Sequence, residues 1–167
     1  MLDRARALHA ARPVVELHAD VPLDTWRRRR AGEAAPLLGD WLGRWREGGV
    51  DVSLITVGGD MPVSFDALGR PDLRAQEMIA DTLAEEAACA ELRVIRTAGD
   101  GAAGGGAGAS GDAGPELTGW ATYPEGLRRI ETLPLLPAGL FGRGFTEDDA
   151  AAIVGGSALR VLRAVLR

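Results

Sequence analysis
A chain of 167 residues is long enough for one domain with a sizeable core and too short for a complete (β/α)₈ barrel, which takes about 250. Its net charge of −5 gives no basis for a nucleic-acid partner. A single cysteine, Cys89, excludes an intramolecular disulfide and points to a reducing, cytoplasmic compartment. The N-terminus, MLDRARALHAARP, is charged and has no apolar centre of the kind a secretory signal needs. Nowhere does a run of about 18 apolar residues suggest a membrane span.

Residues 3–11 predict a short helix that stops before Pro13. Residues 14–17 then predict a strand, which ends at His18-Ala19-Asp20. Side chains along a strand repeat every second residue, so His18 and Asp20 share one side of its C-terminal end. Imidazole nitrogen and carboxylate oxygen are both zinc donors, which makes the pair a candidate metal site. A lone His-x-Asp also occurs by accident, as a loop histidine followed by a helix cap.

Asp24 to Arg30 predicts a helical turn or loop, with Arg27–Arg30 as a solvated basic face rather than a docking site. Residues 36–47 predict a helix, because Leu37, Leu38, Trp41, Leu42 and Trp45 fall on one face and Gly48-Gly49 supplies a stop. Trp41 and Trp45 read as core residues. Residues 50–57 are rich in β-branched side chains and predict a buried strand, centred on 52–57. Strand, helix and strand in that order imply a parallel βαβ unit. A long helix follows over residues 72–91, with Cys89 as a small buried residue on it, and residues 92–97 predict a short third strand or extended segment.

Residues 99–115 are Gly, Ala and Ser in low complexity and predict a flexible linker. Gly104–Gly106 lie within it, without the lysine and hydroxyl residue of a phosphate loop. The chain thus divides into an N-terminal βα part (1–98), the linker (99–115) and a C-terminal helical part of the same domain (116–167). In the last part, Leu133–Arg143 predicts a helix with Pro134 and Pro137 in its first turn. Thr146 predicts an N-cap followed by three carboxylates, with that helix running to Val154. Gly155-Gly156 predicts a break, and Ser157 the cap of a last helix carrying Arg160, Arg163 and Arg167.

Two blocks carry a family resemblance. The first is ARALHAARPVVELHADVPLD with LGRWREGGVDVSLITV after it; the second is YPEGLRRIETLPLLPAGLFGRGFTEDDAAAIVGGSALRVLRAVL. Together, in this order, they resemble the membrane dipeptidase (renal dipeptidase) family of zinc-dependent dipeptidases, over roughly the first hundred and last forty-five residues. The resemblance implies an α/β fold, a partial or rearranged TIM-like barrel of the metal-dependent hydrolase type. It implies that His18 and Asp20 descend from ligands of one zinc ion of a two-ion site. It also implies a dipeptide substrate.

The same resemblance shows what is missing. The family's bridging glutamate, two further metal-binding histidines, substrate-binding histidine and arginine, and last-strand aspartate have no clear counterparts. Asp112 and Glu116 stand in the wrong context, ELTGWATYPEGL lacks the aspartate, and Ser157 replaces the usual asparagine of the Gly-Gly-Asn turn. His9 is the only other histidine. A catalytic zinc normally takes three protein ligands and water, so weak or no zinc binding is expected of this chain alone. Two functions follow from these readings: a zinc dipeptidase completed by a partner chain, or an internally deleted, inactive relative acting as a binding or assembly subunit or having no function. Unpaired strand edges would favour a homo-oligomer or pairing with a full-length homologue.

Overall fold
A computed structural model describes residues 1–34, 39–57, 71–97, 126–127 and 129–166. The predicted linker, Asp112, Glu116 and most of ELTGWATYPEGL lie outside the described residues.

The chain starts with helix α1, Leu2–Ala11, which ends as Arg12 turns extended ahead of Pro13. Strand β1 is Val15–Ala19 and helix α2 is Val21–Arg30. Helix α3, Gly39–Gly48, leads to strand β2, Val52–Ile55. At Gly49 the backbone takes φ +71°, the left-handed conformation that ends helices and that glycine adopts without a Cβ penalty. Helix α4 spans Pro71–Ala88. After a 3₁₀ turn, Ile130–Thr132, come α5, Leu135–Gly142, and α6, Glu147–Ala151. A π-helical turn, Ala152–Gly156, passes into α7, Ser157–Val165.

β1 and β2 pair in parallel, as the βαβ reading requires, with Val15 opposite Val52 and Glu16 opposite Ser53. The next pair is Ala19 opposite Ile55. Leu17 and His18 on β1 therefore face Leu54 alone on β2, which is a bulge. A bulge inserts an extra residue and re-aims the side chains around it. Here Leu17 and His18 both end up exposed, where strict alternation would bury one of them.

The expected third strand is absent: residues 92–96 are irregular and pair with neither β1 nor β2. Glu86 at the end of α4 holds this segment instead, accepting from Val94 N (3.0 Å) and Arg96 (2.8 Å). The bond from Val94 N occupies a backbone donor that a ladder would have used. The described residues thus form an α/β structure with two parallel strands and no closed barrel.

Burial of the sheet organises the rest. Val14, Ala19, Val21, Trp41, Leu42, Trp45, Val50, Ile130 and Val154 form the main core, so both tryptophans are core residues as their spacing predicts. Cys89 packs against this core only partly buried. A second cluster joins α1 to α5 and α6 through Ala5, Leu8, Phe141, Ala150 and Ala151, and a third joins α2 to α4 through Leu23, Trp26 and Met78.

The second strand is not buried as expected, since Val52 and Ser53 are half-buried and Leu54 and Ile55 are exposed. Three further expectations change. The basic run belongs to a full helix, and Arg29 is not solvated: it donates to fully buried Glu85 at 2.7 Å and pairs with Asp81 at 3.4 Å. Leu133 precedes its expected helix, which begins at Leu135; Pro137 stays in the first turn, where its missing N–H costs nothing. The predicted break is present, because Gly155 leaves the helical path at φ 174° and ψ −25°, but Ser157 makes no capping bond, because Gly156 before it is already helical. Thr146 does cap α6: its hydroxyl accepts from Asp149 N at 3.1 Å, and the Asp149 carboxylate accepts from Thr146 N at 3.0 Å.

Candidate metal centre
The two strands end side by side, and their ends bring together His18, Asp20 and Thr56. His18 Nε2 lies 3.5 Å from Asp20 Oδ1. The histidine side chain is 70 % exposed and the aspartate side chain 18 % exposed, so the imidazole projects while the carboxylate is recessed. The sequence spacing predicts this pairing, and the structure brings the two groups together.

Thr56, one residue past β2, was not legible as part of the site. Its backbone N–H donates to Ala19 O at 2.8 Å, extending the ladder by one bond. Its hydroxyl lies 3.0 Å from the same carbonyl and in close hydrogen-bonding contact with Asp20 Oδ1. A hydroxyl that donates to one carboxylate oxygen fixes the plane of the carboxylate, which is what partners of a metal ligand generally do. The only signal in the sequence is a polar residue where the second strand runs out, directly beside the end of the first.

The spacing of the donors suits a metal ion. With zinc–nitrogen and zinc–oxygen bonds of about 2.0–2.2 Å, two tetrahedral donors lie about 3.3–3.5 Å apart. His18 and Asp20 meet that requirement as two members of a set. Among the described residues no third histidine, cysteine, aspartate or glutamate joins them.

The other histidine serves a different purpose. His9 is buried, and its Nδ1–H donates to Gly48 O at 3.1 Å, tying α1 to the end of α3. Burial lowers its pKa, opposed in part by the Gly48 carbonyl and by Asp51. Gly48 precedes β2 and Asp51 holds Val14 N at 2.9 Å ahead of β1, so His9 sits at the strands' N-terminal side. It therefore cannot join His18. Compared with family models, curated proteins and solved structures, the chain matches none.

Proposed function
We propose that this chain is a shortened relative of the zinc dipeptidases that keeps one metal-binding corner, His18 with Asp20, and acts as a metal-binding assembly subunit rather than a self-sufficient hydrolase. The observation that carries this reading is the 3.5 Å separation of an exposed imidazole and a carboxylate at the C-terminal end of β1. That end of a parallel sheet is where barrel enzymes gather their chemistry. A parallel strand pair joined by a helical connection, here β1 and β2 through α2 and α3, is the building block of such a barrel, so the TIM-like ancestry belongs to the same proposal.

The chemistry sets the limit on activity. A bound zinc ion would supply Lewis acidity and an acidic bound water. His18 would hold it through Nε2 and Asp20 through a carboxylate oxygen, with Thr56 steadying the carboxylate. His9 is committed elsewhere, so any further donors must come from carboxylates, from Cys89 or from another chain. No described helix is long and apolar enough to cross a membrane. With the single Cys89, this supports a reducing, cytoplasmic setting. A partner supplying the missing groups, including a full-length homologue, would restore the dipeptidase reading.

Zinc content per chain, measured beside His18→Ala, tests the reading, with a dipeptide hydrolysis assay on both proteins in zinc. The expected result is zinc uptake that depends on His18, without hydrolysis above the variant's level. Equal zinc in both proteins would overturn the metal corner. Hydrolysis that vanishes in His18→Ala would instead make the chain an enzyme.

A further inference from the structure
His9 stands where helix α1 meets the turn from α3 into β2. It is buried, and its Nδ1–H donates to Gly48 O at 3.1 Å. A carbonyl only accepts, so the neutral ring carries its proton on Nδ1 and leaves Nε2 bare. Nε2 is buried with no hydrogen-bond partner among the described residues. The ring is closely held: a Cβ on Gly49 would stand 3.0 Å from Nδ1 and 3.1 Å from the His9 Cβ. A Cβ on Gly48 would collide with Ile130 O, so the 3₁₀ turn packs against the same peptide.

A second proton upsets this junction. It would make Nε2–H a buried donor without an acceptor and give the buried ring a positive charge. The charged groups around the ring give little relief. Asp51, on the turn into β2, attracts the charge, but its carboxylate already accepts from Val14 N at 2.9 Å. On α1, Arg6 lies three residues before His9 and Arg12 three after it; both are exposed, and Arg12 reaches Asp148 on α6 at 3.5 Å. On α3, Arg46 pairs with Glu91, Arg44 pairs with Glu131 of the 3₁₀ turn, and Glu47 is exposed. Burial therefore prevails and holds the His9 pKa below its ordinary value.

We propose that His9 is an acid-sensitive latch: neutral, it holds α1 to the turn that starts β2, and protonated, it lets α1 part from that turn. The other side of α1 stays fastened. Ala5 and Leu8 pack on Phe141, Ala150 and Ala151, the Arg4 guanidinium lies 4.1 Å from the Phe141 ring centre, and Arg4 reaches Glu147 at 3.5 Å. The carboxylates on that side stay ionised in mild acid. Folding depresses the His9 pKa, so the stabilisation is complete above the ordinary value of 6.5 and is lost as pH falls below it toward the folded-state value. At pH 5.5 the opened form gains at most about tenfold.

The test is hydrogen–deuterium exchange of the full chain at pH 7.5 and 5.5, corrected for the intrinsic pH dependence, beside His9→Asn. An asparagine amide donates from nearly the Nδ1 position and does not titrate. Opening of residues 2–12 and 46–52 should rise roughly three- to tenfold at pH 5.5 in the natural chain and stay level in His9→Asn. The α2–α4 joint, which contains no histidine, should stay level in both. An equal pH response in the two proteins would overturn the latch, and so would a response spread over the whole chain. The His9 ring signal in an NMR titration of the natural chain decides without any variant: a midpoint below 6.5 is expected, and one at or above it would overturn the latch.

Discussion

At the scale of the residue, the proposed metal corner rests on Thr56 as well as on the two donors beside it. A free carboxylate rotates, and a ligand that must be oriented on binding loses conformational entropy at that moment. The Thr56 hydroxyl removes that freedom by engaging Asp20 Oδ1. Thr56→Val keeps the shape and the backbone bond to Ala19 but removes the hydroxyl. Zinc affinity should fall about tenfold or more in a competition titration against a chromophoric chelator, and Thr56→Ser should restore it. An unchanged affinity in Thr56→Val would mean that packing alone orients Asp20. His18 is the reverse case: it is exposed and makes no contact that the fold needs, so its removal should read in metal binding and not in stability.

At the scale of the element, the helices are joined by polar pairs as well as by apolar packing. Glu77, Asp81 and Glu85 lie four apart on α4 and form one acidic stripe. α2 turns Trp26, Arg29 and Arg30 toward it: Trp26 Nε1–H donates to Glu77 at 2.7 Å, and Arg30 reaches Glu77 at 3.3 Å. Burial pushes the Asp81 pKa up, and Arg29 opposes the rise. Breaking a buried pair leaves a charge without its partner and costs far more than replacing both members. Arg29→Met should therefore lower stability by about 3 kcal/mol, and Arg29→Met with Glu85→Leu should recover most of it, by urea unfolding. If the double variant is no better than the single one, the pair is not the joint between α2 and α4. The π turn shows a second kind of joint. A Cβ on Gly155 would stand 2.5 Å from Pro13 O and 2.6 Å from Val15 N, so only glycine lets the C-terminal helices lie against the start of β1.

At the scale of the whole molecule, distant parts of the chain are tied by Glu131. It stands on the 3₁₀ turn, accepts from Arg44 on α3 at 2.9 Å and from Arg129 at 2.8 Å, and its side chain is nearly buried. Burial alone would raise its pKa, yet the bonds from Arg129, its own backbone and Arg44 prevail and hold it at about 2, against an ordinary value of 4.5. A carboxyl whose pKa is depressed by folding stabilises the fold fully above its unfolded value. That contribution is lost as pH falls from about 4.5 toward 2. Unfolding free energy should thus drop by roughly 2–3 kcal/mol more across that window in the natural chain than in Glu131→Gln. Parallel pH profiles would detach Glu131 from acid stability. At the same scale, α7 buries none of its side chains, with Val161 and Val165 exposed.

Much of this was legible in the chain itself. Pro13 and Gly48-Gly49 stop their helices for backbone reasons that need no tertiary context, and Thr146 with Asp149 is a local capping box. The spacing of Trp41 and Trp45 marks one helix face wherever that helix packs, and His18 and Asp20 are near because they are two residues apart, although Asp20 lies past the end of β1 and a bulge precedes it. What failed depended on partners far along the chain. Residues 92–97 carry strand-forming side chains, but strand formation needs a neighbour, and Glu86 takes up Val94 N and Arg96 instead. Arg29 looked like a solvated charge because Glu85 lies 56 residues away. Thr56 became part of the site only when parallel pairing laid the end of β2 beside Asp20. Local composition and spacing determined most of the helices, the two paired strands and the nearness of His18 to Asp20. Register, the bulge that exposes Leu17 and His18, and the neighbours each charge meets were decided by tertiary structure, because each depends on which distant segments pack together.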